Sequence, residues 1–185
     1  MAGFAIETER LVLRTWQEQD APDLLRLRSD PRVMATLGSP QSEGDCIETY
    51  RRQSAHQRQH GFCSWVMHSK QAGRLIGTCG LQRAREALPI AGQIEIGWQL
   101  EYEYWGLGLA HEAALASLAW GFANLADDAI YAITSIGNSR SQSLMMRLGM
   151  EYVAGADFDH PDVRPNDLLL RHVTYVLGRD AWNAR

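Results

Sequence analysis

Residues 105–110 read Trp-Gly-Leu-Gly-Leu-Ala, and this glycine turn is the most informative segment of the sequence. Gly106 and Gly108 stand between alternating apolar residues at 93–101 and a longer apolar segment with helical spacing. Glycine lets a backbone approach a ligand closely, and the first turn of a helix has N–H groups without partners. The helix dipole adds positive potential at the same end. The glycine turn therefore predicts either an anion site or a tight turn whose glycines serve geometry alone.

Outward from the glycine turn, spacing and turn residues predict one mixed α/β domain over residues 1–185, a sheet flanked by helices. The predicted strands are 6–15, 62–68, 75–83, 93–101, 129–136, 150–158 and 168–177. The predicted helices are one capped by Asp20 and ended at Asp30-Pro31, one over 42–60, one after Gly108 and one over 139–148. Residues 129–136 are expected to be buried on both faces. The predicted buried face of the helix after Gly108 consists of Leu115, Leu118, Ala119 and Phe122.

The composition argues against several classes of protein. A formal net charge of −4 argues against a nucleic-acid-binding surface. Three cysteines without C-x-x-C spacing and six histidines without ligand spacing predict neither a disulfide framework nor a metal site. The first residues lack the features of a signal peptide, and no apolar run approaches a membrane span. We therefore expect a cytoplasmic protein that has no nucleic-acid or membrane partner.

Four ordered segments resemble the GNAT acetyltransferase superfamily, and most closely its branch of ribosomal-protein N-terminal acetyltransferases. Residues 105–113 are similar to the W-G-x-G-x-A-x-E-A pattern of that branch. The other segments are Glu7–Arg14, Leu75–Leu81 and the block from Asn138 to Met150. The resemblance spans nearly the whole chain. It implies the GNAT fold, a mixed sheet that splays between the strand holding Glu95 and the strand ending at Ile136.

The resemblance also implies where acetyl-CoA binds. In this family, amides of the glycine turn hold the pyrophosphate of coenzyme A, and backbone groups near residues 96–98 hold the pantetheine amides. Leu107 stands where lysine is frequent, which removes one phosphate contact. No metal is implied. The implied cofactor-binding residues are Ile96, Gly97, Trp98, Trp105, Gly106, Leu107, Gly108, Leu109, Ala110, Asn138 and Ser141.

Glu95 is the predicted catalytic base. It alternates with Ile94 and Ile96, so its carboxylate is expected to face the cleft and take a proton from an attacking amine, directly or through water. A solvated strand residue or a salt-bridge partner is the alternative. An α-amine has a pKa of about 8, against about 10.4 for a lysine amine. An N-terminal amine would therefore need little help from a base, and positioning would supply most of the rate.

Ser141 is the predicted catalytic acid. The resemblance places it near the thioester sulfur, where it protonates the departing thiolate unless water does so. Met145 stands where many GNAT enzymes have a tyrosine for this role. Asn138 is expected to hydrogen-bond the pantetheine arm. The alternative for this segment is helix capping, with Asn138 or Ser139 as the N-cap residue.

Two further features remain open in the sequence. Trp98, Tyr102 and Tyr104 either line the cleft or pack in the core or at the rim, whereas Trp65 is predicted to lie in the core. The segment His160-Pro161-Asp162 indicates either a substrate-side loop or a plain turn.

The sequence thus predicts an N-acetyltransferase that moves an acetyl group from acetyl-CoA directly to a primary amine, without a covalent enzyme intermediate. The acceptor is a protein N-terminus or a small-molecule amine, and the protein is a monomer or a homodimer. One alternative is a non-catalytic acyl-CoA-binding or regulatory protein on the same fold. Another is a nucleotide-binding domain. No Gly-Lys-Ser/Thr and no third glycine follow Gly108, which argues against this alternative. A nucleotide-binding domain would have to bind ATP or NAD better than coenzyme A.

Overall fold

The computed structural model describes residues 4–185, which form nine strands and six α-helices. The strands are Ala5–Glu7 (β1), Leu11–Arg14 (β2), Ser64–Ser69 (β3), Arg74–Arg83 (β4), Ile94–Leu100 (β5), Ala129–Ser135 (β6), Glu151–Tyr152 (β7), Phe158–Asp159 (β8) and Arg171–Gly178 (β9). The helices are Ala21–Ser29 (α1), Pro31–Met34 (α2), Glu43–His60 (α3), Leu109–Asn124 (α4), Ser139–Arg147 (α5) and Arg179–Asn183 (α6).

The strands of residues 4–185 form one open sheet in the order β1-β2-β3-β4-β5-β6-β9-β7, with β8 also paired to β9. Neighbouring strands are antiparallel except β5 and β6, which are parallel. This parallel pair has only two registered positions, Ile94 with Ile130 and Glu95 with Tyr131. Beyond them the strands diverge, so the backbone groups of β5 that face the gap pair with no described strand. The predicted mixed sheet with a central splay is confirmed.

Helices cover both faces of the central strands. On one face, Cys79 of β4 contacts Ser117 of α4, with 3.7 Å between Sγ and Oγ. On the other face, the Gln99 side chain of β5 accepts a hydrogen bond from Nε of Arg28 in α1. These two faces follow from strand alternation, because Cys79 pairs with Trp98 and Gln99 is its neighbour. The core between these layers includes the fully buried Trp65, as predicted.

Two predicted strands are interrupted by turns. The strand expected over 6–15 is the hairpin of β1 and β2, because the Thr8 hydroxyl accepts from the Leu11 N–H and closes a turn between them. The strand expected over 150–158 divides into β7 and β8 at Gly155, whose φ of +80° turns the chain. Both β7 and β8 still pair with β9. Neither turn shows in apolar spacing, because the residues on either side continue a strand-like pattern.

The buried face predicted for α4 is partly wrong. Leu118 and Phe122 are buried, but Leu115 is 38% exposed and Ala119 is also exposed. Small residues occupy much of the buried face instead, and Gly121 shows why. A Cβ on Gly121 would lie 2.7 Å from a methyl group of Leu81 in β4. The helix thus lies too close to the sheet for a large side chain there.

Two smaller differences concern the last third of the chain. Tyr131 and Ile133 of β6 are only half-buried, so this strand is not buried on both faces as predicted. Helix α6 was not predicted. Its Trp182 ring stacks on Phe122 of α4 with 5.4 Å between the centroids, which fixes the end of the chain against the core.

Candidate active site

The glycine turn joins β5 to α4 through two residues in the left-handed conformation. Gly106 has φ +75° and Gly108 has φ +78°, where a side chain is strained. Gly108 is the N-cap residue of α4, and no side chain caps this 16-residue helix. The N–H groups of its first turn are therefore free for a ligand, at the positive end of the helix dipole. This geometry suits an anion.

The glycine turn opens into a cavity of about 290 Å³, which we call the glycine-turn cavity. Eight of the predicted cofactor-binding residues line it: Trp98, Trp105, Gly106, Gly108, Leu109, Ala110, Asn138 and Ser141. Ile96, Gly97 and Leu107 do not line it, since the Ile96 side chain is in the core and Leu107 is 56% exposed. The predicted role of Ile96 and Gly97 concerns their backbone, which lies in the part of β5 that faces the splay.

Arg10, in the hairpin of β1 and β2, holds the glycine turn in place by hydrogen bonds, and we call these contacts the Arg10 clamp. The Arg10 Nη1 donates to the Leu107 carbonyl over 2.8 Å, and its Nε donates to Glu112 of α4 over 2.6 Å. The Thr8 hydroxyl also donates to Glu112 over 2.6 Å. Burial raises the pKa of Glu112, but the hydrogen bonds from Thr8 and Arg10 outweigh it and lower the pKa below its ordinary value. Sequence spacing gave no sign of this clamp.

Two arginines of α5 add positive charge to the glycine-turn cavity. Arg140 and Arg147 line it, and the Arg140 guanidinium lies 5.1 Å from the centroid of the Trp105 ring. Among residues 4–185, neither arginine forms an ion pair with a carboxylate. Neither arginine was predicted as a site residue from the sequence, although their seven-residue spacing places them on one helix face. They add two free positive charges to the cavity at the start of α4.

Asn138 caps α5, so the capping alternative is correct for Asn138 and not for Ser139. Its side-chain oxygen accepts from the Ser141 N–H over 3.2 Å, and its Nδ2 donates to the Thr134 hydroxyl over 3.0 Å. The cap does not conflict with a ligand contact, because the amide has a second N–H. Met145 is buried in the core. Of these residues, Asn138 and Ser141 line the glycine-turn cavity.

Glu95 lies where β5 and β6 last pair, opposite Tyr131. Its carboxylate is half-buried and accepts a hydrogen bond from Nε2 of Gln82 over 3.1 Å. Burial raises the pKa of Glu95 above its ordinary value, although the Gln82 hydrogen bond and the charge of Arg85 oppose this. Glu95 lines neither the glycine-turn cavity nor the second cavity described next.

A second cavity of about 1080 Å³ lies between residues 34–41 and the segment 160–172, and we call it the histidine cavity. His160 and His172 line it, together with Thr134 and Ser135 of β6. It shares Thr36 and Leu37 with the glycine-turn cavity, and Thr134 is bonded to Asn138 of that cavity. The two cavities therefore meet beside the end of β6. The segment His160-Pro161-Asp162 thus contributes to a cavity wall.

The remaining predicted residues divide between the cavity and the surface. Trp98 and Tyr104 line the glycine-turn cavity, whereas Tyr102 is 40% exposed under the guanidinium of Arg32.

All three cysteines are free and buried. Within residues 4–185 no cluster of three or more metal-ligating side chains is found, and no helix is long and apolar enough to cross a bilayer.

Comparison with known proteins identifies the family of the chain. The acetyltransferase (GNAT) domain family matches residues 10–151. The uncharacterized N-acetyltransferase p20 of Bacillus licheniformis is 30% identical over 149 residues, 78% of this chain and 80% of the relative.

Two solved structures with 17% sequence identity share the fold. A ribosomal L7/L12 α-N-protein acetyltransferase, RimL, in complex with coenzyme A has a TM-score of 0.77 and covers 96% of this chain and 99% of its own. The spermidine N-acetyltransferase of Vibrio cholerae, in complex with CoA and spermine, has a TM-score of 0.73, with 95% and 99% covered. Since the family match extends over well more than half of the sequence and the fold agrees, the chain belongs to the GNAT family of acetyltransferases.

Proposed function

We propose that the glycine-turn cavity binds acetyl-CoA and that the histidine cavity admits a primary amine, which receives the acetyl group directly. The strongest support is that three separate parts of the fold meet around one cavity. The uncapped start of α4, the unpaired edge of β5 and the start of α5 with Asn138 and Ser141 meet around one cavity. Acetyl-CoA presents an anionic end, an amide-containing arm and a thioester, and each has a matching surface there.

Each part of the cofactor has a proposed set of residues. The pyrophosphate lies on the amides of the glycine turn, and the guanidinium groups of Arg140 and Arg147 stand in for the lysine that Leu107 replaces. The pantetheine amides pair with the backbone of residues 96–98, in the way that an added strand would. Asn138 holds the arm with its second N–H. Ser141 or water protonates the thiolate that leaves.

Direct transfer is supported by the state of the cysteines. Burial raises the pKa of Cys63 and of Cys79 to about 12, so neither thiol supplies a thiolate to carry an acetyl group. Cys46 is buried as well, and its pKa is also raised by burial. Free thiols also favour the reducing cytoplasm, which we propose as the location. Glu95 as base remains a prediction.

The charges of the histidine cavity favour an acceptor with a single positive charge. Asp162 on its wall is paired with Arg85, and the other two charged residues that line the cavity, Arg164 and Asp167, have opposite charges. There is no surplus of carboxylates to hold a polyamine. Leu37 and Leu168 line the same cavity and are 43% and 93% exposed. We therefore place an N-terminal amine or an apolar monoamine ahead of a polyamine as the acceptor.

The experiment is an acceptor screen with two readouts on the same protein. Calorimetric titration measures acetyl-CoA affinity, and release of the free thiol measures turnover with short peptides, apolar monoamines and spermidine. Faster release with a peptide or monoamine supports the proposal. Tight binding without acceleration by any amine favours a non-catalytic acyl-CoA-binding protein. Tighter binding of ATP or NAD than of coenzyme A would contradict the cofactor assignment.

Size-exclusion chromatography with light scattering separates monomer from homodimer.

A further inference from the structure

The histidine cavity has two imidazoles that the proposed cofactor site does not use. The ring centroids of His160 and His172 lie 4.7 Å apart, and the Phe158 ring lies 5.6 Å from that of His172. His172 is the second residue of the long strand β9 and pairs with Ser135 at the end of β6. Its position is thus fixed by the sheet, at the end of β6 where the two cavities meet.

The hydrogen bonds determine which nitrogen of each ring is free. His172 Nδ1 lies 3.3 Å from the Leu170 carbonyl, which has no proton, so Nδ1 is the donor. In the neutral ring, the lone pair of His172 is therefore on Nε2. His160 is the opposite case, because its Nδ1 accepts from the Asp162 N–H over 3.3 Å. Of these two rings, only His172 has Nε2 as its basic atom.

Burial favours the neutral form of both rings, and the charges around the pair modify this effect. Burial lowers the pKa of His172, and the neighbouring His160 lowers it further, against the effect of the Leu170 carbonyl. Burial also lowers the pKa of His160, where Asp162 and Arg85 act in opposite directions. The other charged groups facing this cavity are Arg164 and Asp167, and the Arg171–Asp159 ion pair lies beside it.

Ser135 supplies a second, independent observation. The residue is 1% exposed and lines the histidine cavity, and its hydroxyl oxygen is the one buried side-chain polar atom of residues 4–185 without a hydrogen-bond partner. A buried hydroxyl without a partner is costly, so a group that occupies the cavity and hydrogen-bonds to it is expected. Since Ser135 and His172 are directly opposite each other on one face of the sheet, one polar group of a ligand can contact both side chains.

We propose that His172 is the catalytic residue that accepts the proton of the attacking amine, which the Ser135 hydroxyl orients in the histidine cavity. This step rests on the proposed acetyl transfer. The amine nitrogen forms a bond to the carbonyl carbon, the carbon–sulfur bond breaks, and its electron pair leaves on sulfur. The amine proton moves to Nε2 of His172, and the thiolate takes a proton from Ser141 or water.

Glu95 is less well placed for this step. It is level with Tyr131, four positions before Ser135 on β6. At about 3.3 Å per residue, that is roughly 13 Å along the strand. Its carboxylate also lines neither cavity and is held by Gln82.

The test compares the pH dependence of kcat/KM for wild type, His172→Gln and a control, His68→Gln. The acceptor is a weakly basic amine that does not itself change its protonation over the pH range that is measured. His68 lies on β3 and lines neither cavity. In wild type we expect kcat/KM to fall as the pH is lowered, and this acidic limb should have an apparent pKa below about 6.5. His172→Gln should lose this limb and about 10²–10⁴-fold of kcat/KM at unchanged acetyl-CoA affinity. His68→Gln should keep both.

Added imidazole should partly restore turnover to His172→Ala, which a purely structural role would not allow. Ser135→Ala should raise KM for the amine more than it lowers kcat. A His172→Gln protein that folds and keeps the acidic limb would overturn the proposal, as would a wild-type profile without that limb. Absence of amine-dependent turnover in wild type would instead contradict the proposed function itself.

Discussion

The side-chain amide of Asn138 donates a hydrogen bond to the Thr134 hydroxyl over 3.0 Å, and this contact joins the walls of the two cavities. The same side chain caps α5 through the Ser141 N–H. One residue thus fixes the start of a helix, the end of a strand and the point where donor and acceptor are proposed to meet.

Replacing Asn138 by alanine should therefore affect both stability and binding. We expect a loss of about 1 kcal/mol in the free energy of unfolding from the missing cap. Acetyl-CoA affinity should fall about five- to tenfold, because a buried hydrogen bond is typically worth about 1 kcal/mol and the Ser141 N–H also loses its position. Urea unfolding and calorimetric titration measure the two effects.

Ser42→Ala is the matched control for Asn138→Ala, since the Ser42 side chain caps α3 in the same way and lines neither cavity. It should lose similar stability and keep full affinity. Equal affinities in the two variants would show that Asn138 acts as a cap alone.

A negative charge in the glycine turn should remove acetyl-CoA binding. Gly106 has φ +75° and open space around a built Cβ, so Gly106→Asp adds a carboxylate without a steric clash. The carboxylate would repel the pyrophosphate and occupy the free amides. We expect at least about a hundredfold weaker binding by titration, with about 1 kcal/mol of destabilisation from backbone strain.

Gly73→Asp provides the comparison, because Gly73 in the β3–β4 hairpin has φ +65° and equally open surroundings. Its strain is similar and its position is remote from both cavities. If both variants bind acetyl-CoA like wild type, the glycine turn is not the phosphate site.

Loss of the Arg10 clamp should weaken cofactor binding more than it weakens the fold. Arg10→Met keeps the aliphatic stem but releases the Leu107 carbonyl and Glu112. Because the Arg10 side chain is 45% exposed, its ion pair adds little stability, and the melting temperature should change little. Acetyl-CoA affinity should fall about three- to tenfold, since the glycine turn loses its fixed shape. Lys70→Met, which removes an exposed ion pair with Glu7, should leave affinity unchanged.

The raised pKa of Glu95 predicts a pH-dependent stability. A carboxyl whose pKa is higher in the folded protein favours folding only while it is protonated. Its contribution is complete below the unfolded pKa of about 4.3 and is lost as pH rises through the folded value. Glu95→Gln should therefore raise the melting temperature relative to wild type at pH 7 to 8, and this difference should shrink toward pH 4. A constant difference across this range would argue against a buried, destabilised carboxylate.

The sequence predicted those features of the fold and site that depend on local signals. Gly106 and Gly108 predicted an uncapped helix start, and the helix predicted over 42–60 is α3, which ends at Gly61 in a left-handed conformation. The turn at Thr8 was missed because a hydroxyl closes it inside a strand-like run. The exposed Leu115 was misassigned because helical spacing is compatible with more than one buried face, and close packing at Gly121 selected the other.

The features that sequence could not predict depend on tertiary contacts. Arg10 lies 97 positions from Leu107, and Ser135 faces His172 only because β9 returns beside β6. His160 and His172 have no ligand spacing along the chain, yet their rings are neighbours. Spacing rules describe one element at a time, whereas these contacts arise from the order of strands in the sheet.

The clamp between Arg10 and Leu107 has a consequence for the lifetime of the protein. Because the proposed phosphate-binding surface is built from segments that come together only in the folded protein, acetyl-CoA would bind the native state and not the unfolded chain. By mass action, a concentration of about 100 times Kd would add about 2.7 kcal/mol to the free energy of unfolding. The metabolic supply of acetyl-CoA would then govern how much of this protein escapes degradation, as well as how fast it turns over.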